Sequence, residues 1–236
     1  MPEARLEEKK IKYDVRESER ASRSRIDVDL DGVTVVIPKG RDLDPEEFLQ
    51  DKKDWVLEKQ KQMEDYWARI PEREFEEGET FPYLGESHEL KISSENCFDV
   101  VEGQILIPEK KAEKLSIKEA IDELYRKKAR EKVKEIIDQY SEKIDTDYDK
   151  LFIRNQKTKW ASCSSKNNLN FNWRLMMAPE KVLEYVVVHE LLHLKEPNHS
   201  KSFWTQLGEI MPDYRERREW LKENSPELVF SEEDVL

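Results

Sequence analysis

The first part of the chain alternates apolar and polar residues at the period of β-strands. This alternation predicts strands in "IKYDVRES", in "SRIDVDLDGVTVVIP" on either side of a tight turn at Asp31-Gly32, and in "FPYLG", "SHELKIS", "CFDVVEG" and "QILIPE". Between these groups, Asp44 and Pro45 open a segment with helical spacing, which predicts one helix over residues 44–66. We therefore assign residues 1–107 to a strand-rich N-terminal region. The chain shows no internal repeat.

The second part of the chain changes to helical spacing at Ser116. Apolar residues then recur every three or four positions up to Tyr140, and Ser116 forms a capping box with Glu119, so the pattern predicts a long amphipathic helix. Strand-like residues return over 150–175. Pro179 opens the next helix, "PEKVLEYVVVHELLHL", whose first two turns are apolar on nearly every side. This helix is therefore expected to be buried.

Two shorter helices are predicted near the end of the chain, one after Ser200 and one at Pro212. We group residues 108–224 as one region, followed by an acidic, frayed tail over residues 225–236. Strands followed by helices indicate the α+β class.

Composition favours a globular protein with a densely charged surface. The 236 residues are 37% hydrophobic and 40% charged, and the net charge is −12. An acidic field repels phosphate backbones, so nucleic acid is not an expected partner. The local exception, "RKKAREKVK" over residues 126–134, is interpreted as a solvated helix face rather than a phosphate-binding patch.

Cysteine usage and hydropathy indicate a reduced compartment. Cys97 and Cys163 are the only cysteines, and their spacing does not resemble a disulfide framework. No apolar run approaches membrane-spanning length, and the first residues contain no apolar signal segment. We expect a cytoplasmic protein without a membrane anchor.

Three of the four histidines lie within "HELLHLKEPNH", residues 189–199. His189 and His193 are four positions apart on the predicted helix, so both imidazoles can bind one metal ion at about 2.0–2.1 Å. Glu190 lies about 100° around the helix from His189. There it can take a proton from water, whose pKa a metal lowers to about 7. The alternative is a buried helix with histidines satisfied by hydrogen bonds, but the apolar flanks favour the metal site.

The chain must turn after this helix for a third ligand to reach the metal. On an unbroken helix His199 would lie about 240° around from His189, but Pro197 disfavours helical geometry and removes a backbone donor. We therefore predict His199 as the third ligand, with a carboxylate of Glu209 or Glu216 as the alternative. Three imidazoles and an open position favour one Zn²⁺ ion per chain, although nickel, cobalt or iron would suit the same residues.

The wider sequence around the histidines resembles a known family. "WASCSS…NFNWRLMMAPEKVLEYVVVHELLHLKEPNHSKSFW" is similar to the YgjP-like metallopeptidase domain, a zincin-type family akin to the SprT-like and WLM proteases. Arg154, "KTKWASCS", "NHS..FW" and "MPDY…WL" follow the family pattern. Earlier segments, "DKKDWVLEK" and "GETFPYLGESHELKI", resemble the region that precedes it. The resemblance extends from about residue 10 to residue 223.

The resemblance implies a zinc-dependent peptidase with a zincin-like core over residues 108–224, in which an active-site helix packs against a small antiparallel sheet. It matches His189, His193 and His199 to the family's ligand positions and Glu190 to its catalytic base.

At two positions the sequence differs from the family pattern or from the metzincins, which limits the structural detail that can be transferred to this chain. Ala161 stands where the family tends to have Gly, which affects a strand expected to line the cleft. Metzincins have Gly at the position of Glu196, and a non-Gly residue before Pro197 does not favour their left-handed turn. The turn that leads to the third histidine should therefore differ from theirs.

Two further residues are weaker site candidates. Tyr214 could donate a hydrogen bond to an oxyanion, although a packing role is the alternative. Arg154 could bind a substrate carboxylate or instead hold a strand in place.

The sequence thus predicts a zinc-dependent peptidase acting on peptides or proteins, with Glu190 as general base. Residues 157–163 and 167–173 are the strands expected to bind substrate by main-chain hydrogen bonds. A non-catalytic, metal-stabilised binding or adaptor module and a nucleic-acid-associated, SprT-like protease are the alternatives.

Overall fold

The computed structural model describes residues 1–29 and 32–230. Asp31 of the predicted turn and residues 231–236 of the predicted tail lie outside this range. None of the described helices is long and apolar enough to span a membrane.

Contacts within the described residues divide the chain into two compact units, unit 1 (up to Ile70) and unit 2 (residues 71–230). The division at residue 107 was placed where the spacing of apolar residues changes from strand-like to helical, and it stays a prediction. Each unit has its own cluster of buried apolar side chains.

Unit 1 consists of a four-stranded sheet followed by two helices. Its elements are β1 (Glu3–Leu6), β2 (Lys9–Ser18), β3 (Arg25–Asp29), β4 (Gly32–Pro38), α1 (Pro45–Asp51) and α2 (Lys53–Trp67). The strand order is β1-β2-β4-β3, in which β2 and β4 are parallel and the two outer pairs are antiparallel. Val35, Leu49 and Val56 are fully buried in its core.

The single helix predicted over residues 44–66 is in fact two helices. They separate at Lys52, whose φ of −115° and ψ of 17° are not helical. The N–H of Lys52 bonds to the carbonyl of Leu49, which tightens the last turn of α1. Asp44 caps α1 as predicted, because its side chain accepts hydrogen bonds from the next two free backbone N–H groups.

Unit 2 begins with a second four-stranded sheet. Its strands are β5 (Thr80–Tyr83), β6 (Glu86–Ser93), β7 (Asp99–Val101) and β8 (Gln104–Pro108). The order is β5-β6-β8-β7, with β6 and β8 parallel and the outer pairs antiparallel. This is the same order and the same pattern of directions as β1 to β4. The chain therefore repeats one sheet topology, which the sequence did not reveal.

The rest of unit 2 combines helices with a small sheet. The elements are α3 (Glu109–Ala112), α4 (Ile117–Ile144), β9 (Lys150–Arg154), β10 (Ala161–Cys163), β11 (Asn168–Asn172), a 3-10 helix (Trp173–Met177), α5 (Glu180–Leu192), α6 (Lys201–Ile210), α7 (Tyr214–Asn224) and a second 3-10 helix (Ser225–Leu228). The α+β class is thus confirmed. The predicted capping box of Ser116 and Glu119 opens α4.

The sequence analysis expected a small antiparallel sheet in this region, but the sheet is mixed. Its order is β10-β11-β9. β10 and β11 form an antiparallel hairpin, but β9 enters on the far side of β11 and runs parallel to it. This leaves β10 as an edge strand.

His88 is a buried polar residue of β6, and only 8% of it is exposed. Its ring packs edge-on against Tyr83, and its Nδ1 lies 3.1 Å from the carbonyl oxygen of Glu86. These contacts give it a packing role in unit 2.

The described part of the predicted frayed tail is packed into the core of unit 2. Phe230 is 1% exposed, and its ring centroid lies 5.0 Å from that of Trp173 and 5.6 Å from that of Tyr125. Phe75 and Phe81 complete this aromatic cluster. Because the residues around Phe230 are acidic, the sequence did not indicate that Phe230 is a core residue.

Replacing Phe230 by alanine should therefore destabilise unit 2. We expect a loss of about 3–5 kcal/mol in free energy of unfolding, because the ring is fully enclosed and its removal leaves a cavity. Denaturant unfolding with zinc absent would measure it. Val101→Ala, at a site 42% exposed, is the control and should change stability by less than about 0.5 kcal/mol. Similar small losses in both variants would contradict the packing role.

Candidate metal centre

The histidine segment begins on the most buried helix around the site, α5. All but a few of the side chains in α5 are buried, as its apolar sequence predicted. His189 lies in its last turn and His193 at its C-cap. The chain then turns, and Ser200 caps the start of α6 by accepting a hydrogen bond from the N–H of Phe203.

The three predicted ligands converge. The Nε2 atoms of His189 and His193 are 3.1 Å apart, those of His193 and His199 are 3.2 Å apart, and those of His199 and His189 are 2.9 Å apart. Tetrahedral ligands at 2.0–2.1 Å from one ion would be separated by about 3.3 Å. Within the described residues, Glu209 and Glu216 do not belong to this cluster.

The hydrogen-bonding pattern fits a metal better than a histidine network. The carbonyl oxygen of Glu196 lies 2.9 Å from Nδ1 of His193 and can only accept, so this nitrogen carries the proton. In the neutral ring, Nε2 of His193 then presents a lone pair. Three mutually close Nε2 atoms cannot all be joined by hydrogen bonds, because each contact needs its own donor. A cation shared by three lone pairs resolves this conflict.

The turn between the second and third histidines is held by Glu196. Its carboxylate accepts hydrogen bonds from Ser202 Oγ at 3.0 Å and from Gln206 Nε2 at 3.5 Å, both on α6. Glu196 is not among the described residues with a positive φ. The turn therefore differs from the left-handed, glycine-containing turn of the metzincins, as its sequence predicted.

Two aromatic rings support the histidines. Phe203 stacks on His193 at 4.7 Å between ring centroids, and Trp204 stacks on His199 at 5.4 Å. Burial, the neighbouring histidines and the charge of Arg218 together lower the pKa of His189 to about 3. The first histidine is therefore neutral and able to bind a metal at physiological pH.

Glu190 is buried beside the histidines with one carboxylate oxygen free. Its side chain is 6% exposed, and within the described part of the chain Oε2 has no hydrogen-bond partner. Burial raises its pKa to about 7, while a backbone hydrogen bond from Cys163 and the charge of Lys159 act in the opposite direction. The edge strand β10 thus fixes this carboxylate from its backbone.

A cleft of about 730 Å³ opens over these groups. One wall is the turn and the end of α5, and the opposite wall is β10 with the following "SSKN" turn. The side chains of Lys159 and Lys195 also line it. Ala161, the departure from the family pattern, lies on the β10 wall.

The two weaker candidates lie away from this cleft. Tyr214 is 8% exposed and stacks on Trp204 at 5.6 Å between ring centroids, so one aromatic layer separates it from His199. The guanidinium of Arg154 lies over Phe152, at 4.7 Å from the ring centroid. Neither residue lines the cleft among the described residues.

Sequence reasoning missed the residues that hold the loop before β10. Asn172 donates from Nδ2 to the carbonyl of Gln156 at 2.8 Å and to that of Lys159 at 3.3 Å. Arg174, 2% exposed, donates to the carbonyl of Gln156 at 2.7 Å. The available signal was a single arginine within the otherwise apolar run "WRLMM", two residues after Asn172.

The basic stretch over residues 126–134 is partly neutralised within the chain. Three of its cations form ion pairs with acidic residues. These pairs are Arg126 with Asp122, Lys128 with Asp99 and Glu131, and Lys132 with Glu135 and Glu180. These contacts agree with the interpretation as a helix face.

Comparison with known proteins identifies the family. The model of the YgjP-like metallopeptidase domain matches residues 22–224. The chain belongs to the YgjP-like family. It is therefore a metal-dependent peptidase, and the resemblance noted in its sequence is confirmed. A non-catalytic module does not agree with this membership.

Solved structures similar to part of this YgjP-like chain are archaeal metallopeptidase zymogens. Abylysin from Pyrococcus abyssi is 21% identical, with a TM-score of 0.36, over 41% of this chain and 99% of its own. Jannalysin from Methanocaldococcus jannaschii is 22% identical, with a TM-score of 0.35, over 39% of this chain and 89% of its own. None of the curated proteins compared with the chain matches it.

Proposed function

We propose that this YgjP-like chain is a zinc-dependent peptidase in which His189, His193 and His199 bind one zinc ion and Glu190 is the general base. One observation carries the proposal. Three Nε2 atoms lie within 3.2 Å of one another, and Glu190 lines the same cleft with a buried, unpartnered oxygen, as far as the described residues show.

Zinc supplies Lewis-acid polarisation of the substrate carbonyl and lowers the pKa of water to about 7. The chain's own residues supply proton transfer and position. Oε2 of Glu190 receives the proton of the attacking water and later delivers it to the departing amine. The backbone hydrogen bond from Cys163 holds the carboxylate in place while it does so.

Substrate is proposed to bind along β10. This strand pairs only with β11 among the described strands, so its other edge is open towards the cleft. An extended peptide can add to such an edge by main-chain hydrogen bonds. This mode of binding places little demand on substrate sequence, and it brings the scissile carbonyl beside the histidines.

Tyr214 and Arg154 have structural roles in this proposal. Tyr214 would have to reach past Trp204 to donate to an oxyanion, and its hydroxyl contacts Arg215, from whose Nε it accepts a hydrogen bond at 3.2 Å. Arg154 packs on Phe152 at the end of β9.

Metal removal tests the proposed function directly. We expect protein loaded with one equivalent of zinc to cleave unstructured peptides, to lose this activity after treatment with a chelator, and to regain it with added zinc, because no other described group polarises the carbonyl. Quenched fluorescent peptides would report the rate. Cleavage that persists in metal-free protein would refute the proposal.

A further inference from the structure

A second hollow adjoins the metal centre. Its volume is about 500 Å³, and its lining residues are Trp204, Tyr214, Arg215, Arg218 and Glu219. Trp204 connects the hollow with the metal centre, because its ring also stacks on His199. A group bound in this hollow would therefore lie one indole ring away from the metal ligands.

Two arginines on α7 lie close to aromatic rings in this hollow. The guanidinium carbon of Arg218 lies 5.3 Å from the Trp204 ring centroid, and that of Arg215 lies 5.7 Å from the Tyr214 ring centroid. Both distances lie within the range of a cation–π contact, which leaves N–H groups of the guanidinium available, although Nε of Arg215 donates to the Tyr214 hydroxyl.

Within the described residues, neither Arg215 nor Arg218 forms an ion pair with a carboxylate. Arg217, which lies between them in the sequence, does. Arg217 pairs with Glu184 and Asp213 and donates to the carbonyl of Lys181, which makes it part of the framework. Glu219, the acid at the edge of the hollow, pairs with Lys222 at 2.8 Å.

Positively charged side chains line both the hollow and the cleft, although the chain as a whole is acidic. The chain has a net charge of −12, yet Glu190 is the only acid that lines the cleft among the described residues. Lys159 and Lys195 line it as well. Such a local excess of cationic side chains favours an anionic ligand.

A planar guanidinium fits a carboxylate, which it can bind through two parallel hydrogen bonds. On a peptide, this group is either an acidic side chain or the free C-terminus. We propose that Arg218, assisted by Arg215, binds a substrate carboxylate in this hollow and makes the enzyme prefer acidic peptides. This specificity rests on the proposed peptidase function.

A matched set of peptides tests the proposal on the zinc-loaded protein. One scissile sequence carries Glu, Gln or Lys at successive positions on either side of the cleaved bond, each with a free or an amidated C-terminus. We expect the carboxylate peptide to be preferred by about three- to tenfold in kcat/KM, mainly through KM, because the contact is partly exposed. Whether Glu or the free C-terminus confers the preference identifies the source of the carboxylate.

The variants assign the preference to a residue. Arg218→Ala should abolish it, Arg218→Lys should retain part of it, and Arg218→Glu should shift it towards the Lys peptide. Lys201→Ala, which removes an exposed cation from the helix that carries Trp204, should leave it unchanged. Equal cleavage of all peptides by the wild type would overturn the proposal. So would a preference that survives Arg218→Ala or disappears in Arg154→Ala.

A binding measurement separates this proposal from the proposed function. Peptide binding to Glu190→Gln and to the Glu190→Gln, Arg218→Ala double variant can be compared by calorimetry without turnover. If no peptide is cleaved by the wild type, the peptidase proposal fails. Tighter binding of the Glu peptide that is lost in the double variant would still support the carboxylate subsite, and equal binding of Glu and Gln peptides would overturn it.

Discussion

Glu190→Gln is expected to reduce peptide turnover by at least about 10²–10⁴-fold while zinc stays bound. The amide has nearly the shape of the carboxylate and can still accept the backbone hydrogen bond from Cys163. It cannot take a proton from water. The loss should therefore appear in kcat, measured with quenched peptides, while metal content by elemental analysis stays at about one zinc per chain.

Glu180→Gln is the matched control for this variant. Glu180 lies in the first turn of the same helix and pairs with Lys132, away from the cleft. Its neutralisation should leave kcat within about twofold of the wild type, as is usual for surface substitutions. If Glu190→Gln retained wild-type turnover, the mechanism would be wrong, because no general base would be required at that position.

His199→Ala is expected to weaken zinc binding by more than about 100-fold. Loss of a residue that only orients a ligand costs about 10–100-fold in affinity, and loss of the ligand itself should cost more. Because His199 is exposed, its replacement leaves no buried cavity and the chain should stay folded. Competition against a chromogenic chelator would measure the affinity, and circular dichroism would check the fold.

The rival ligands provide the controls. Glu209→Gln and Glu216→Gln remove the two carboxylates that the sequence left as alternatives, and both side chains are exposed and outside the histidine cluster. Both variants should keep wild-type zinc affinity. Loss of zinc in either of them, with retention in His199→Ala, would reassign the third ligand.

The sequence predicted the parts of the site that depend on local spacing. His189 and His193 share a helix face because four residues make about one turn. The turn that returns His199 was predicted chiefly from Pro197, since a proline ends helical geometry wherever the chain goes afterwards. The order of strands and helices in unit 2 followed from hydrophobic periodicity in the same way.

What the sequence did not predict depends on partners distant in the chain. The backbone hydrogen bond from Cys163 to Glu190 and the side-chain bonds of Asn172 leave no spacing pattern, because backbone groups are the same at every residue. The break at Lys52 and the burial of His88 are likewise set by packing. The shared order of the two four-stranded sheets was not visible because alternation defines a strand but not its neighbour.

The position of Phe230 has a consequence for folding during synthesis. Its aromatic partners are made much earlier, from Phe75 to Trp173, so the contacts that complete the unit-2 core span a long stretch of chain. Unit 1 has its own core within the first seventy residues and can fold as it leaves the ribosome. Unit 2 cannot close its aromatic cluster until residue 230 has emerged. During this interval the histidine segment is already made but the core behind it is incomplete, so nascent chains of this length should depend most on chaperones.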